Sequence, residues 1–168
     1  MVKATFTNLN AEKKAAVTAA LLKEFSAHPL ADAQVARIVK DAGISRGSFY
    51  KYFDDLTDAY QCLFNQAMQD LHTGVGRSST AADIYQTTKD FISKAQNGRY
   101  YDLIRLHYIY NEAFLPQHQP RKNLPPRALA AMVISHAAIR ESMLDPDNSQ
   151  IYLDAEKVAL EAVLKHNK

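Results

Sequence analysis

A chain of 168 residues can build one compact domain or two small ones sharing a core, and an apolar content of 47% excludes a disordered chain. Five Gly, six Pro and no Trp, with no apolar run long enough to cross a bilayer, exclude fibrous and membrane-spanning classes, while the lone Cys62 excludes an internal disulfide. The net charge of +2 is too small to indicate a nucleic-acid ligand, so the placement of charges has to carry any such reading.

Residues 1–8 show no periodicity and read as a mobile tail, with Lys3 in reach of a phosphate. From Leu9 a helix is predicted, in which Val17, Leu21 and Phe25 form an i, i+4 ridge beside Ala16, Ala20 and Leu22, ended by His28-Pro29. Between Ala33 and Phe53, Val35, Ile38, Val39 and Ala42 recur at helical spacing until Gly43 breaks the pattern. Ser45 then opens a second short helix carrying Phe49, Tyr52 and Phe53. Gly43 tolerates the positive φ that a sharp corner needs, which makes the pair a helix-turn-helix. Ser45 can accept a hydrogen bond from an unpaired first-turn amide, and no carboxylate follows it before Asp54. The second helix thus presents Arg46, Ser48, Tyr50 and Lys51 to a polyanion.

Over residues 1–72 the eight bases (Lys3, Lys13, Lys14, Lys23, Arg37, Lys40, Arg46, Lys51) are offset by eight acids. Arg37, Lys40, Arg46 and Lys51 bracket the turn, whereas Asp54, Asp55 and Asp58 follow it, where Asp54 or Asp55 can cap the next helix. That helix is predicted from Leu56 to Leu71 with Tyr60, Phe64, Ala67, Met68 and Leu71 along one stripe. The polar, breaker-rich stretch from His72 to Thr80 marks the boundary between two parts, and Ile84, Thr88, Phe91, Ile92 and Ala95 then predict a helix closed by a left-handed cap at Asn97-Gly98. Residues 99–115 are apolar almost all round, which predicts a helix at the centre of the second part. A proline loop over 116–126 leads to helices over about 127–144 and 149–166. Leu129, Met132, Val133, His136, Ala137, Arg140 and Met143 lie on neighbouring faces of the first; Ile151, Ala155, Val158, Ala159, Ala162 and Val163 line the second. That is more apolar surface than one neighbour covers, and it predicts self-association.

The segment GISRGSFYKYFDDLTDAY, with Gly43, Ser45, Gly47, Tyr50 and the Tyr52-Phe53 pair in register, resembles the DNA-binding end of the tetracycline-repressor (TetR) family. The resemblance covers roughly residues 9–72 and is strongest from Ala42 to Phe53. It departs from the family's habit at Pro29 (usually Gly), Ala33 (usually a phosphate-touching, capping Thr) and Leu56 (usually a phosphate-binding Lys); Asp32 is the alternative cap. The resemblance implies an all-α fold: a three-helix helix-turn-helix DNA-binding domain over 1–55, a connecting helix over 56–72, and a helical ligand-binding and dimerisation domain over 73–168.

Within that frame Arg46 and Lys51 suit guanine edges or phosphates, Tyr50 a thymine methyl or a phosphate, Ser45 and Ser48 phosphate oxygens, and Gly47 a close backbone approach. Tyr52 has a hydroxyl in reach of the backbone but suits the core, as do Phe49 and Phe53. For Gln34 and Arg37 a phosphate contact and a solvated face are both open. An effector pocket would draw on Tyr101, Arg105, Tyr108, Asn111 and Glu112 with Met132 and His136, which an ordinary tyrosine-rich core explains equally. His107, His118 and His136 match no metal-ligand spacing, and Glu112, His107 and Tyr108 come without a phosphate loop, nucleophile elbow or carboxylate pair. Neither a metal, a cofactor nor an enzymatic activity is expected. The expectation is a cytoplasmic, homodimeric transcriptional regulator that represses from a palindromic double-stranded DNA operator and is released by a small-molecule effector. The alternative is a helical protein-interaction or ligand-binding module that has lost DNA binding.

Overall fold

The computed structural model describes residues 3–72, 80–115 and 124–164, and all regular structure among them is helical. The helices are α1 (Ala4–Thr7), α2 (Ala11–Ala27), α3 (Val35–Ala42), α4 (Arg46–Tyr52), α5 (Leu56–Leu71), α6 (Ala81–Gln96), α7 (Tyr101–Leu106), α8 (Pro126–Leu144) and α9 (Ser149–Leu164). A π-helical turn, His107–Asn111, and a 3-10 turn, Glu112–Phe114, extend α7. The backbone forms two compact units: Met1–Asp70 with Tyr100–Leu115, and Leu71–Arg99 with Pro116–Lys168. Residues 73–79 of the expected boundary, 116–123 of the proline loop and 165–166 of the last helix lie outside the described residues.

Unit 1 is built on the ridge that the sequence predicts on α2. Val17, Leu21 and Phe25 are buried together with Ile38 of α3, Phe49 of α4, and Tyr60 and Leu63 of α5. Phe25 meets Tyr60 edge-on, with ring centroids 5.1 Å apart. Residues 3–7, read from sequence as a mobile tail, instead form α1 and bury Phe6 against Tyr52 and Phe53, at 6.0 and 4.8 Å between centroids. One aromatic side chain supplies the apolar area, about 2 kcal/mol of transfer free energy, that fastens the segment.

Tyr100–Leu115 folds with unit 1, whereas its apolar sequence suggested the centre of the second part. α7 packs on α2 with Leu103 and Ile104 fully buried. The attachment is also polar: Tyr60 Oη and His107 Nδ1 share a hydrogen bond of 3.0 Å, Asn111 Oδ1 accepts the Leu30 amide at 2.8 Å, and the Tyr100 hydroxyl donates to Asp70. Burial raises the Tyr60 phenol above its ordinary range and keeps it neutral. The π-helical turn brings His107 and Asn111 both inward while Ile109, Tyr110 and Phe114 stay exposed.

Unit 2 is a three-helix arrangement of α6, α8 and α9. A capping box starts α6, where Thr80 Oγ1 accepts the Asp83 amide and Asp83 Oδ2 accepts the Thr80 amide. Its end at Asn97-Gly98 is not the expected left-handed cap, since Asn97 has φ −97°. Gly98 is needed for close approach instead: a Cβ there would stand 2.5 Å from the Lys94 carbonyl oxygen. Ala131, Ser135, Ala138 and Ser142 give α8 a small-residue inner face, and Glu156 of α9 is buried where the three helices meet. Its Oε1 accepts the hydroxyls of Thr88 and Ser135, each at 2.7 Å. Outward, Val133 of α8 and Ile151 and Val158 of α9 are 57, 64 and 71% exposed, apolar side chains left uncovered on both helices.

A buried carboxylate fixes the start of α3. Glu24 of α2 accepts two hydrogen bonds from Arg37 Nε, at 2.8 and 3.0 Å, one from Nη2 at 2.6 Å, and the Gln34 amide at 2.7 Å. Burial pushes the Glu24 carboxyl up, but Arg37 and the Gln34 amide outweigh it and hold the group below the ordinary glutamate range. With its folded value below the unfolded one, the stability it contributes is present at neutral pH and is lost as pH falls below the ordinary glutamate value. Glu24→Gln is therefore expected to lower the melting temperature at neutral pH and to flatten its fall on acidification, followed by circular dichroism. An unchanged pH profile would remove Glu24 from this role.

Candidate nucleic-acid interface

The corner between α3 and α4 turns on Gly43, which adopts φ 62° and ψ 34°. A Cβ there would meet nothing within 4 Å, so the requirement is conformational and not steric. The Gly43 and Ile44 amides bond the Lys40 and Val39 carbonyls, closing α3. Ser45 caps α4: its Oγ accepts the Ser48 amide at 3.0 Å and lies 2.9 Å from Ser48 Oγ.

α4 divides into two faces. Phe49 and Tyr52 point into unit 1 with Phe53 just beyond them, while Arg46, Gly47, Tyr50 and Lys51 are exposed and Ser48 is half-buried. Arg46 lies over the Tyr50 ring at 5.8 Å and reaches its hydroxyl at 3.4 Å, an arrangement that holds both side chains outward. Gly47 answers no need inside the protein, because a Cβ there would find only Ser45 Oγ, at 3.8 Å. A cleft of about 530 Å³ runs beside this face, lined by Ala33, Gln34, Val35 and Ala36 at the start of α3, Arg46 and Tyr50 of α4, and Asp55, Leu56 and Thr57.

Of the sequence-predicted contact residues, Gln34, Ser45, Arg46, Gly47, Tyr50 and Lys51 are exposed and Ser48 is half-buried, and Gln34, Arg46 and Tyr50 line the cleft together. Tyr52 is 6% exposed and is a core residue. Arg37 is half-buried, with its guanidinium bound to Glu24 and to the Asp32 carbonyl. Asp32 does not cap α3; Glu24 takes the Gln34 amide from another helix. Asp55, not Asp54, caps α5 by accepting the Asp58 amide at 2.7 Å.

The even balance of charge resolves in the same way. Glu24 pairs with Arg37, Asp41 with Lys23 at 2.8 Å and Asp54 with Lys3 at 2.7 Å, whereas exposed Lys51 forms no ion pair with a described residue. Three acids are thus answered within unit 1, and α4 keeps its cations on the outside.

The candidate effector residues fall on both units. Tyr101 and Tyr108 are half-buried, Arg105 and Glu112 exposed, and Asn111 holds the Leu30 amide, which gives it a structural task in unit 1. Met132, half-buried, and His136, exposed, belong to α8 of unit 2. His107 is stacked on Phe64 at 4.0 Å between ring centroids, and His118 lies outside the described residues. Among the described residues no three His, Cys, Asp or Glu side chains are grouped to hold a metal, and no helix is long and apolar enough to cross a membrane.

Residues 17–56 match the bacterial regulatory proteins of the tetR family. No curated protein matches the chain. Among solved structures, the chain resembles a TetR family transcriptional regulator from Chloroflexus aurantiacus J-10-FL, with a TM-score of 0.55 and 18% identity over 98% of this chain and 95% of that one, a likeness of fold.

Three substitutions separate the corner's geometry from its chemistry. Gly43→Ala is expected to cost about 1 kcal/mol through the left-handed backbone alone, and Gly43→Asn less. Ser45→Ala is expected to cost about 1 kcal/mol through the lost cap. Denaturant unfolding measures all three, and a neutral Gly43→Ala would mean that the corner does not need its positive φ.

Proposed function

We propose that this chain, whose residues 17–56 match the bacterial regulatory proteins of the tetR family, is a DNA-binding transcriptional regulator that lays α4 into the major groove. The observation that carries this is the two-faced α4: an aromatic inner side locked into unit 1 and an outer side of Arg46, Tyr50 and Lys51 around a glycine with no internal purpose. Arg46 reads a guanine edge or a phosphate, Lys51 a phosphate, Tyr50 a thymine methyl or a phosphate, while Ser45, Ser48 and Gln34 fix the register. The regulator acts in the cytoplasm as a repressor, occupying a palindromic operator as a homodimer.

Pairing through α8 and α9 is supported by the uncovered apolar side chains of Val133, Ile151 and Val158. Release by a small molecule follows if a ligand prefers protomers whose recognition helices no longer match successive grooves; its candidate contacts are Tyr101, Arg105, Tyr108, Asn111 and Glu112 on unit 1 and, taken separately, Met132 and His136 on unit 2. The alternative, an interaction module that no longer binds DNA, is favoured by Asp55 and Leu56 in the cleft and by Arg37 being committed to Glu24. Late, steeply salt-dependent elution from heparin supports the regulator; early elution supports the module.

The direct test begins with a duplex that the protein selects from a randomised pool. Arg46→Ala is expected to weaken its binding by about tenfold to a hundredfold, and Lys51→Ala to reduce the slope of log K against log salt by about one. Unchanged affinity and slope in both variants would remove α4 from the interface. Val158→Glu, at an exposed position, is expected to leave the fold intact and to convert dimer to monomer in sedimentation. A wild type that sediments as monomer would refute the pairing.

A further inference from the structure

A helix leaves its last carbonyls without partners of its own, and in α4 these fall at the end farthest from the Ser45 cap. Three of them are taken by one distant segment. The Lys3 amide donates to the Tyr52 carbonyl at 3.3 Å, Lys3 Nζ donates to the Tyr50 carbonyl at 2.9 Å, and the Thr5 hydroxyl donates to the Lys51 carbonyl. Phe6, 2% exposed, anchors the segment against Tyr52 and Phe53, and Lys14 covers the Phe6 ring at 5.7 Å.

The Lys3 ammonium has a second partner. It pairs with Asp54, the first acid after the recognition helix, at 2.7 Å, and this bond holds the Asp54 carboxyl below its ordinary range. One cation therefore sits at the negative end of the α4 dipole and neutralises the nearest charge that would repel a phosphate. Both roles fix the ammonium at the end of the helix.

We propose that residues 3–7 are a positioning arm for the recognition helix, with Lys3, Thr5 and Phe6 setting the angle and rigidity of α4 without touching DNA. The proposal rests on α4 being the helix that enters the groove. It assigns Lys3 a task distinct from the phosphate contact that its charge suggests. A direct contact and a positioning role leave different marks on salt dependence, since only a phosphate contact releases counterions.

The experiment compares Lys3→Met, Lys3→Arg and Thr5→Val with wild type on the duplex selected from a randomised pool, by fluorescence anisotropy over a range of salt. Lys3→Met and Thr5→Val are expected to weaken binding about fivefold each with the salt slope unchanged, and Lys3→Arg to recover most of the loss. In the protein alone, amide exchange across α4 is expected to quicken in Lys3→Met and Thr5→Val but not in Lys3→Arg. A slope reduced by about one in Lys3→Met would make Lys3 a phosphate contact and overturn the proposal. Unaltered affinity, or unaltered exchange in α4, would overturn it as well. If wild type selects no duplex, the DNA-binding reading falls, while the exchange measurement still decides whether the arm holds α4.

Discussion

A helix of seven residues has too few internal hydrogen bonds to stand alone, and α4 is such a helix. Its shape is imposed from outside at each end and along one side. Ser45 supplies the acceptor at its start, Phe49 and Tyr52 sink into unit 1 along its length, and residues 3–5 take the carbonyls at its end. The corner at Gly43 then decides the direction in which the held helix points. What remains outward is determined by what has been used inward, so the exposed Arg46, Tyr50 and Lys51 are a consequence of the packing and not a separate feature.

The same division governs charge. A sum of zero over the first 72 residues conceals a spatial order in which Glu24 and Asp41 answer bases on neighbouring helices, Asp54 answers Lys3, and Asp55 and Asp58 serve the start of α5. Arg37 is drawn into this internal accounting, which leaves the α4 side chains as the cations beside the cleft. Ala33 and Leu56, which both line the cleft, mark where the chain departs from the pattern that it otherwise resembles.

Around the corner, the signals in the sequence match the structure, whereas the equally local left-handed cap at Asn97-Gly98 does not form. Helical periodicity, the Gly43 break, the Ser45 cap and the two-faced spacing of Phe49, Tyr50, Lys51 and Tyr52 all act within a few residues, and each appears in the fold. The larger departures involve partners far away in the chain. Glu24 stands beside an apolar ridge, and its burial becomes intelligible only when Arg37 is seen to reach it. Lys3 and Thr5 carry no periodic signal because their partners are backbone carbonyls some 47 and 46 residues on; Phe6, an aromatic in an otherwise polar stretch, was the one available hint. The sequence of Tyr100–Leu115 points to a central helix because tyrosines count as apolar on every face; the polar links of Tyr100, His107 and Asn111 that bind it to unit 1 are invisible to a hydrophobic pattern.

Unit 2 contains the reverse of the Glu24 arrangement. Among the described residues Glu156 has two hydroxyl donors on one oxygen, no hydrogen-bond partner on the other and no base acting on it, and burial raises its carboxyl above the ordinary glutamate range. Such a group favours the folded state while it keeps its proton, and the advantage fades as pH climbs through the raised value. A pH above that raised value therefore asks α6, α8 and α9 to accept either a charge or a water molecule in their interior, whereas acid loosens the Glu24 arrangement in unit 1. The pH at which the whole chain is most secure is a compromise between two glutamates that never meet.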